Sequence, residues 1–278
     1  MHGILIHSDV ATALCRAPVG STCVVSFDLG RSTESVERTV DGIQWKERTF
    51  TLDLFRRVAS ARNTIYLLNL STQSIIPLQR VHDAKLYQLR RTRTAPTVMI
   101  SGIQMHSLDD AWEDSRTKCR LVVESGDWVL DTCGGLLYTT LASLELGAGL
   151  VVTTEPDMAI RWLRGANPWS TLPPNVPVLS FEMKCQELVA RLPEQTMDCV
   201  VHDPPRFSLA GDLYGRRFYS SLHRVLRPGG RLYHYTGLPY SKGRGRQFVK
   251  GVANRLRSEG FDVRWHQESK GLVGRVLR

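Results

Sequence analysis

The chain has 278 residues, 42% apolar and 23% charged, which places it in the globular range and allows one large core or two ordinary ones. No apolar run approaches the roughly 20 residues of a helical membrane span, and the start, Met1-His2-Gly3-Ile4-Leu5-Ile6-His7, has no cationic stretch leading into an apolar one, so a cytoplasmic protein that does not engage a membrane is expected. Cys15, Cys23, Cys119, Cys133, Cys185 and Cys199 form no C-x-x-C pair and lie near no clustered histidines, which argues against a metal site and a disulfide framework.

Residues 1–104 read as a small β-rich N-terminal domain. Strands are expected at Cys23–Leu29 and Ser35–Val40, with Asp41-Gly42 turning into Ile43-Gln44-Trp45. Further strands are expected at Thr64–Leu70, Lys85–Leu89 and Thr97–Ile100, with one short helix around Leu52–Ala61. The basic stretch Arg90-Arg91-Thr92-Arg93 reads as a solvated loop or a partner contact.

Residues 105–278 alternate strand and helix patterns at βαβ spacing. Ser107-Leu108-Asp109-Asp110 has the form of a capping box and should open a helix running toward Arg120. Strands follow at Trp128–Leu130, Leu150–Thr154, Val176–Phe181, Cys199–Val201 and Leu232–Tyr235. Helices are expected near Tyr138–Leu146, Met158–Arg164, Cys185–Leu192, Tyr214–Leu226 and Phe248–Glu259, and a closing hairpin at Asp262–His266 and Leu272–Leu277. Five β-α units ending in a hairpin predict the seven-stranded variant of the doubly wound, Rossmann-like α/β fold.

The net charge of +9 is unevenly placed. From Pro205 to Arg278 there are 16 Lys and Arg against 4 acids, a net +12, which leaves −3 for the rest. Such an excess is what a phosphate-binding surface carries, although a solvated basic face has the same composition.

Two constellations carry chemistry. Val129-Leu130-Asp131-Thr132-Cys133-Gly134-Gly135 ends a strand in an acid and two glycines, which lets backbone approach a ligand ahead of a helix N-terminus. Glu155 follows Gly135 by 20 residues, ends the next strand and is suited to accept the hydroxyls of a ribose, while Asp131 would face a cofactor's amino group. A tight turn and a helix cap would leave the same residues. The second constellation is His202-Asp203-Pro204-Pro205-Arg206-Phe207. An acid before two prolines supplies acceptors, the Asp203 carboxylate and the Pro204 carbonyl, for an amine on which positive charge develops, and proline stiffens the loop that holds them. It resembles the D-P-P-Y and N-P-P-Y loops of amino-methyltransferases. A rigid strand-to-helix turn is the simpler reading of Pro-Pro alone.

His202–Gly211, with Asn167-Pro168-Trp169-Ser170, Tyr233-His234-Tyr235-Thr236-Gly237, Val25–Gly30 and Ala95–Ile103, resembles the archaeal methyltransferases of spermidine-synthase-like type, a family that includes enzymes acting on N4 of cytidine in ribosomal RNA. The resemblance covers nearly the whole chain and implies a class I methyltransferase domain using S-adenosylmethionine. It assigns Asp131, Thr132, Cys133, Gly134, Gly135, Glu155, Pro156 and Glu182 to the cofactor, and Asp203, Pro204, Pro205 and Arg206 to catalysis. Phe207, His234, Tyr235, Arg244 and Arg246 are expected to meet substrate, with RNA as the partner; Arg244-Gly245-Arg246 should precede the last helix and contact phosphates. The family loop reads D-T-C-T-G-L-G-Y, so Gly134 stands here for threonine and Leu137 for glycine. Lys184 stands where an acid near the adenine is expected, with Glu182 as its substitute. Aminopropyl transfer to a polyamine, and a non-catalytic RNA-binding protein with a degenerate cofactor site, remain open.

Overall fold

The computed structural model describes residues 3–61, 64–106, 110–237 and 242–277. The chain forms two compact units, Met1–Trp112 with Ala159–Thr171, and Glu113–Met158 with Leu172–Arg278.

The first unit contains β1 (Gly3–His7), α1 (Ser8–Arg16), β2 (Thr22–Val25), β3 (Glu34–Arg38), β4 (Ile43–Trp45), β5 (Arg48–Phe50), α2 (Leu52–Ala59), β6 (Ile65–Asn69), β7 (Ile75–Pro77), β8 (Gln79–His82), β9 (Lys85–Arg90), β10 (Thr97–Ile100) and β11 (Ile103–Gln104). They make three antiparallel sheets, ordered β1-β6-β7, β2-β3-β4-β5 and β11-β10-β9-β8. Up to Gln104 the chain is β-rich as expected, but it holds α1 besides the one helix the sequence predicts there. Helix α1 has little intrinsic preference; it is secured by burying Ala11 and Leu14 and by the His7 side chain, which accepts the Asp9 amide at its N-terminus. The turn at Asp41-Gly42 does join paired strands, and a Cβ at Gly42 would lie 2.0 Å from the Phe50 carbonyl oxygen. The segment after β2 is closed on itself by Asp28, whose carboxylate accepts from the amides of Arg31 and Ser32 and from the Ser26 and Ser32 hydroxyls. Arg91 pairs with Asp9 and Arg93 with Asp110, so these arginines are engaged within their own unit.

The remaining elements are α3 (Ala111–Arg120), β12 (Trp128–Asp131), α4 (Tyr138–Glu145), β13 (Leu150–Thr154), α5 (Met158–Ala166), β14 (Val178–Phe181), α6 (Cys185–Arg191), β15 (Met197–His202), α7 (Arg216–Val225), β16 (Leu226–Tyr235), α8 (Lys242–Ser258), β17 (Phe261–His266) and β18 (Gly271–Val276). Most of α5 groups with the first unit. Of the expected capping box, Ser107, Leu108 and Asp109 lie outside the described residues; Asp110 accepts the Trp112 amide at 3.1 Å and caps α3, which ends at Arg120 as predicted.

The sheet of the second unit runs β14-β13-β12-β15-β16-β18-β17. Its first five strands are parallel, and β18 is inserted antiparallel between β16 and β17. This is the doubly wound, seven-stranded order of class I methyltransferases, as the sequence pattern predicts. Strand alternation divides the side chains between two buried layers. Val129, Val151, Cys199, Val201 and Tyr233 pack with Cys119 and Ala142 of α3 and α4, whereas Leu130, Val152, Val200 and Leu232 pack with α6, α7 and α8. Sequence order reverses between β12 and β15, the switch point where ligands of such sheets bind, at the carboxyl ends of the strands. No helix among the described residues is long and apolar enough to cross a membrane.

Candidate active site at the carboxyl ends of β12, β13 and β15

The register brings the two constellations together. Asp131 is paired with Val201 and with Thr153, and His202 with His234, so the segments that follow β12, β13, β15 and β16 emerge at one edge of the sheet. The loops after β12 and β15 are joined directly. His202 Nε2 lies 3.0 Å from the Leu213 carbonyl, which only accepts, so Nε2 carries the proton and Nδ1 accepts the Thr132 hydroxyl at 2.7 Å. Burial holds this imidazole neutral, pushed down to about 4, so the bond persists across the physiological range.

Asp131 is placed differently from expectation. It shares the parity of Val129, faces α4 and is wholly buried. Its Oδ2 accepts hydroxyls of Thr139 at 2.8 Å, Thr140 at 2.7 Å and Thr153 at 3.2 Å. The acid therefore ties β12 to the first turn of α4, and it presents no open face to a ligand. Its Oδ1 is buried as well, next to the Cys133 amide. Burial pushes its carboxyl up, against the three hydroxyls.

Gly134 donates to the Thr154 carbonyl at 2.9 Å, and the Gly135 amide donates to Glu155 Oε2 at 3.0 Å, so the glycine loop leans on the end of β13. Glu155 Oε1 also accepts the Asp157 amide at 2.9 Å. Leu137, at the position the family gives to glycine, keeps the left-handed conformation, with φ 66°, and its side chain is buried. Leucine there costs roughly 1–2 kcal/mol of backbone strain but adds no side chain to the open surface. Thr132 is buried and Cys133 half-buried, whereas Pro156, Glu182 and Lys184 are exposed.

The β15 loop is stiffened from below by the Tyr214 hydroxyl, which donates to the Pro205 carbonyl at 2.8 Å. Pro204 is buried and Arg206 half-buried. Phe207 is 53% exposed, with its ring set edge-on to Tyr214 and Phe248 at 5.6 and 5.5 Å. Asp203 continues the parity of Cys199 and Val201 and so turns toward α3. There its Oδ2 accepts from Lys118 Nζ at 2.7 Å; the same ammonium lies 2.6 Å from Asp114 and 4.7 Å over the ring of Tyr235.

Sequence reasoning missed Lys118 and Asp114. An Asp-x-x-x-Lys spacing on a helix looks like an ordinary exposed pair, yet both side chains are buried. The signal available was the parity of Asp203. His234 corrects an expectation in the same way. It shares the parity of Leu232, is fully buried against His202 at 4.4 Å, and meets the Tyr219 hydroxyl at 2.8 Å, so it belongs to the core under the loop and not to a substrate surface. Tyr235 is half-buried. Arg244 and Arg246 lie within α8, which begins earlier than predicted; Arg246 is exposed, and the Arg244 side chain lies outside the described residues.

Fold and site thus define a doubly wound domain of the class I methyltransferase type, with an acid-Pro-Pro loop beside its glycine loop. The chain belongs to the same family as the uncharacterized protein MJ1233 of Methanocaldococcus jannaschii, to which it is 34% identical over 257 residues, 90% of this chain and 88% of that one. No protein-family model matches the sequence. Among solved structures it is similar in fold to a spermidine synthase in complex with the transition-state analogue AdoDATO, with TM-score 0.56, 15% identity and 71% of each chain covered. The spermidine synthase from Thermotoga maritima is similar with TM-score 0.54, 14% identity and 72% and 71% covered.

Proposed function

We propose that the chain is an S-adenosylmethionine-dependent methyltransferase acting on an exocyclic amine, N4 of cytidine in RNA and most simply in ribosomal RNA. The observation that carries this reading is the bridge from Thr132 to His202, which sets Asp203-Pro204-Pro205 immediately beside the glycine loop. The residues present fit the cofactor. Glu155 accepts the Gly135 and Asp157 amides at the end of β13, where a carboxylate can also take the hydroxyls of a ribose, and Asp131 lies buried beneath the same glycine loop. Bound there, S-adenosylmethionine would supply an electrophilic methyl group for the amine.

The protein's own residues supply the rest. Asp203 and the Pro204 carbonyl accept the amine's hydrogens and favour the charge that grows on nitrogen. Phe207, exposed and braced by two rings, offers a stacking face for the base, and the +12 of the last 74 residues suits the RNA backbone. The fold likeness to spermidine synthases raises aminopropyl transfer as a second reading. Against it, Lys118 offsets one of the two charges of Asp114 and Asp203, so this cluster keeps a single excess negative charge where a polyamine, a multiple cation, would seek several.

Calorimetric titration of S-adenosylmethionine into the wild type and Glu155→Ala tests the reading. Micromolar binding by the wild type, weakened at least about 10-fold in the variant by loss of a charged hydrogen-bond acceptor, is expected. Absence of binding at millimolar cofactor would favour the non-catalytic RNA-binding alternative.

A further inference from the structure

The buried ammonium of Lys118 is the least expected group in the catalytic unit. A lysine is rarely inside a protein unless paired, and this one, wholly buried on α3, bridges two carboxylates, Asp114 four residues before it and Asp203 in the β15 loop. Burial disfavours its charge, but Asp114 and Asp203 outweigh that and hold it well above the ordinary lysine range, so the ammonium is permanent. Its contact with Asp203 is confined to Oδ2, and Oδ1 accepts no hydrogen bond among the described residues.

We propose that Lys118 is a positioning residue for the amine site: it fixes the Asp203 carboxylate through Oδ2, leaving Oδ1 and the Pro204 carbonyl to receive the two hydrogens of an uncharged amine. This inference rests on the methyl-transfer reading above. The need for such a residue follows from the surroundings of Asp203. Burial raises its carboxyl, and Asp114 from α3 and Asp131 from β12 push in the same direction. Tyr233 and Tyr235 from β16 and Tyr214 before α7 face it without charge, since burial raises all three phenols. Arg206 also lies near Tyr235. Without Lys118 these effects would stand unopposed by its ammonium, and a carboxyl that holds its proton donates a hydrogen bond where the amine needs an acceptor. Asp114 has the complementary part: it holds Lys118 in place and, by its own charge, limits how far Asp203 is lowered.

Two substitutions therefore move the acid limb of the pH–rate profile in opposite directions, which loss of structure alone would not do. The assay follows transfer of labelled methyl from S-adenosylmethionine to unmodified ribosomal RNA transcribed in vitro. Lys118→Met should move the acid limb of kcat/KM to higher pH by about 1–3 units, the range for loss of an opposite charge at this distance. Asp114→Asn should move it to lower pH, and Lys118→Arg should restore most of the wild-type profile. Should Lys118→Met fail to fold, Asp114→Asn still decides. A carbon-13 titration of the Asp203 carboxyl, assigned with Asp203→Asn, reads the same shifts without any substrate. A wild type that transfers no methyl would sink the methyl-transfer reading and leave the titration as the test of Lys118. An active wild type whose acid limb and Asp203 titration are the same in Asp114→Asn and Lys118→Met would overturn this inference alone.

Discussion

Thr132 and His202 are small parts of the molecule, but their bond is where the cofactor-type loop and the amine-type loop touch. Both are buried, and the carbonyl of Leu213 fixes which imidazole nitrogen accepts. Replacing Thr132 by Val keeps the shape and leaves Nδ1 of His202 buried without a donor, a penalty of about 1–3 kcal/mol. Urea denaturation should record that loss, and an unchanged midpoint would show the bridge to be dispensable. The same residues show how far the sequence could be read. Asp203-Pro204-Pro205 and Glu155 were legible as motifs because their chemistry is local. The orientations of Asp131 and His234 were not read, although strand parity contained them: Asp131 follows Val129 onto the α4 face, and His234 follows Leu232 onto the α7 face. Lys118 was illegible because burial of a helix face depends on what lands upon it.

At the scale of elements, the parallel strands were the most legible, since Val-Leu, Val-Val and Val-Val runs between helical segments have few other uses. Leu150–Thr154 and Thr97–Ile100 match the expected bounds fully. Helix α1 escaped because its residues have little helical preference and it is secured by burial, and the short strands β5, β7, β8 and β11 because runs of two to four residues carry too little periodicity. Helix α8 begins at Lys242, ahead of the predicted Phe248, through two glycines that argue against a helix locally. The strands are also held at the end away from the site. There Nη2 of Arg231 in β16 donates to the Asp127 carboxylate, at 2.5 and 2.6 Å from its two oxygens, and Nη1 reaches Glu124, both acids preceding β12. Asp127 is 7% exposed, so the pair is shielded from water and salt. Asp127→Asn should lower unfolding free energy by about 1–3 kcal/mol, the range for bonds to charged groups and for stranding a partner. A change under about 0.5 kcal/mol would place the pair with ordinary surface bridges.

For the whole molecule, stability should depend on pH through its buried histidines. His202 is pushed down to about 4 by burial, and His234 is held well below its usual range by burial and by the neighbouring imidazole. In the unfolded chain each takes up a proton near pH 6.5, which the folded chain does not do until far lower pH. Their neutrality therefore costs nothing above pH 6.5, and stability falls progressively as pH drops from 6.5 toward 4, by about 3 kcal/mol for His202 alone. Thermal melts across this window should show a steep acid decline that His202→Asn reduces; a flat profile would contradict neutral, buried imidazoles. Charge organises the chain on the same scale, with the +12 segment beginning at Pro205 of the acid-Pro-Pro loop and containing α8 and the closing hairpin. That concentration, with the acid-Pro-Pro loop at the carboxyl end of β15, supports the proposed methylation of an amine in RNA. The most direct test is to incubate the protein with S-adenosylmethionine and unmodified ribosomal RNA and to analyse the digested nucleosides by mass spectrometry. N4-methylated cytidine that appears with the wild type and falls about 100-fold or more with Asp203→Ala is the predicted result; a protein that binds the cofactor yet leaves every cytidine unmethylated, or methylates as well without Asp203, would contradict it.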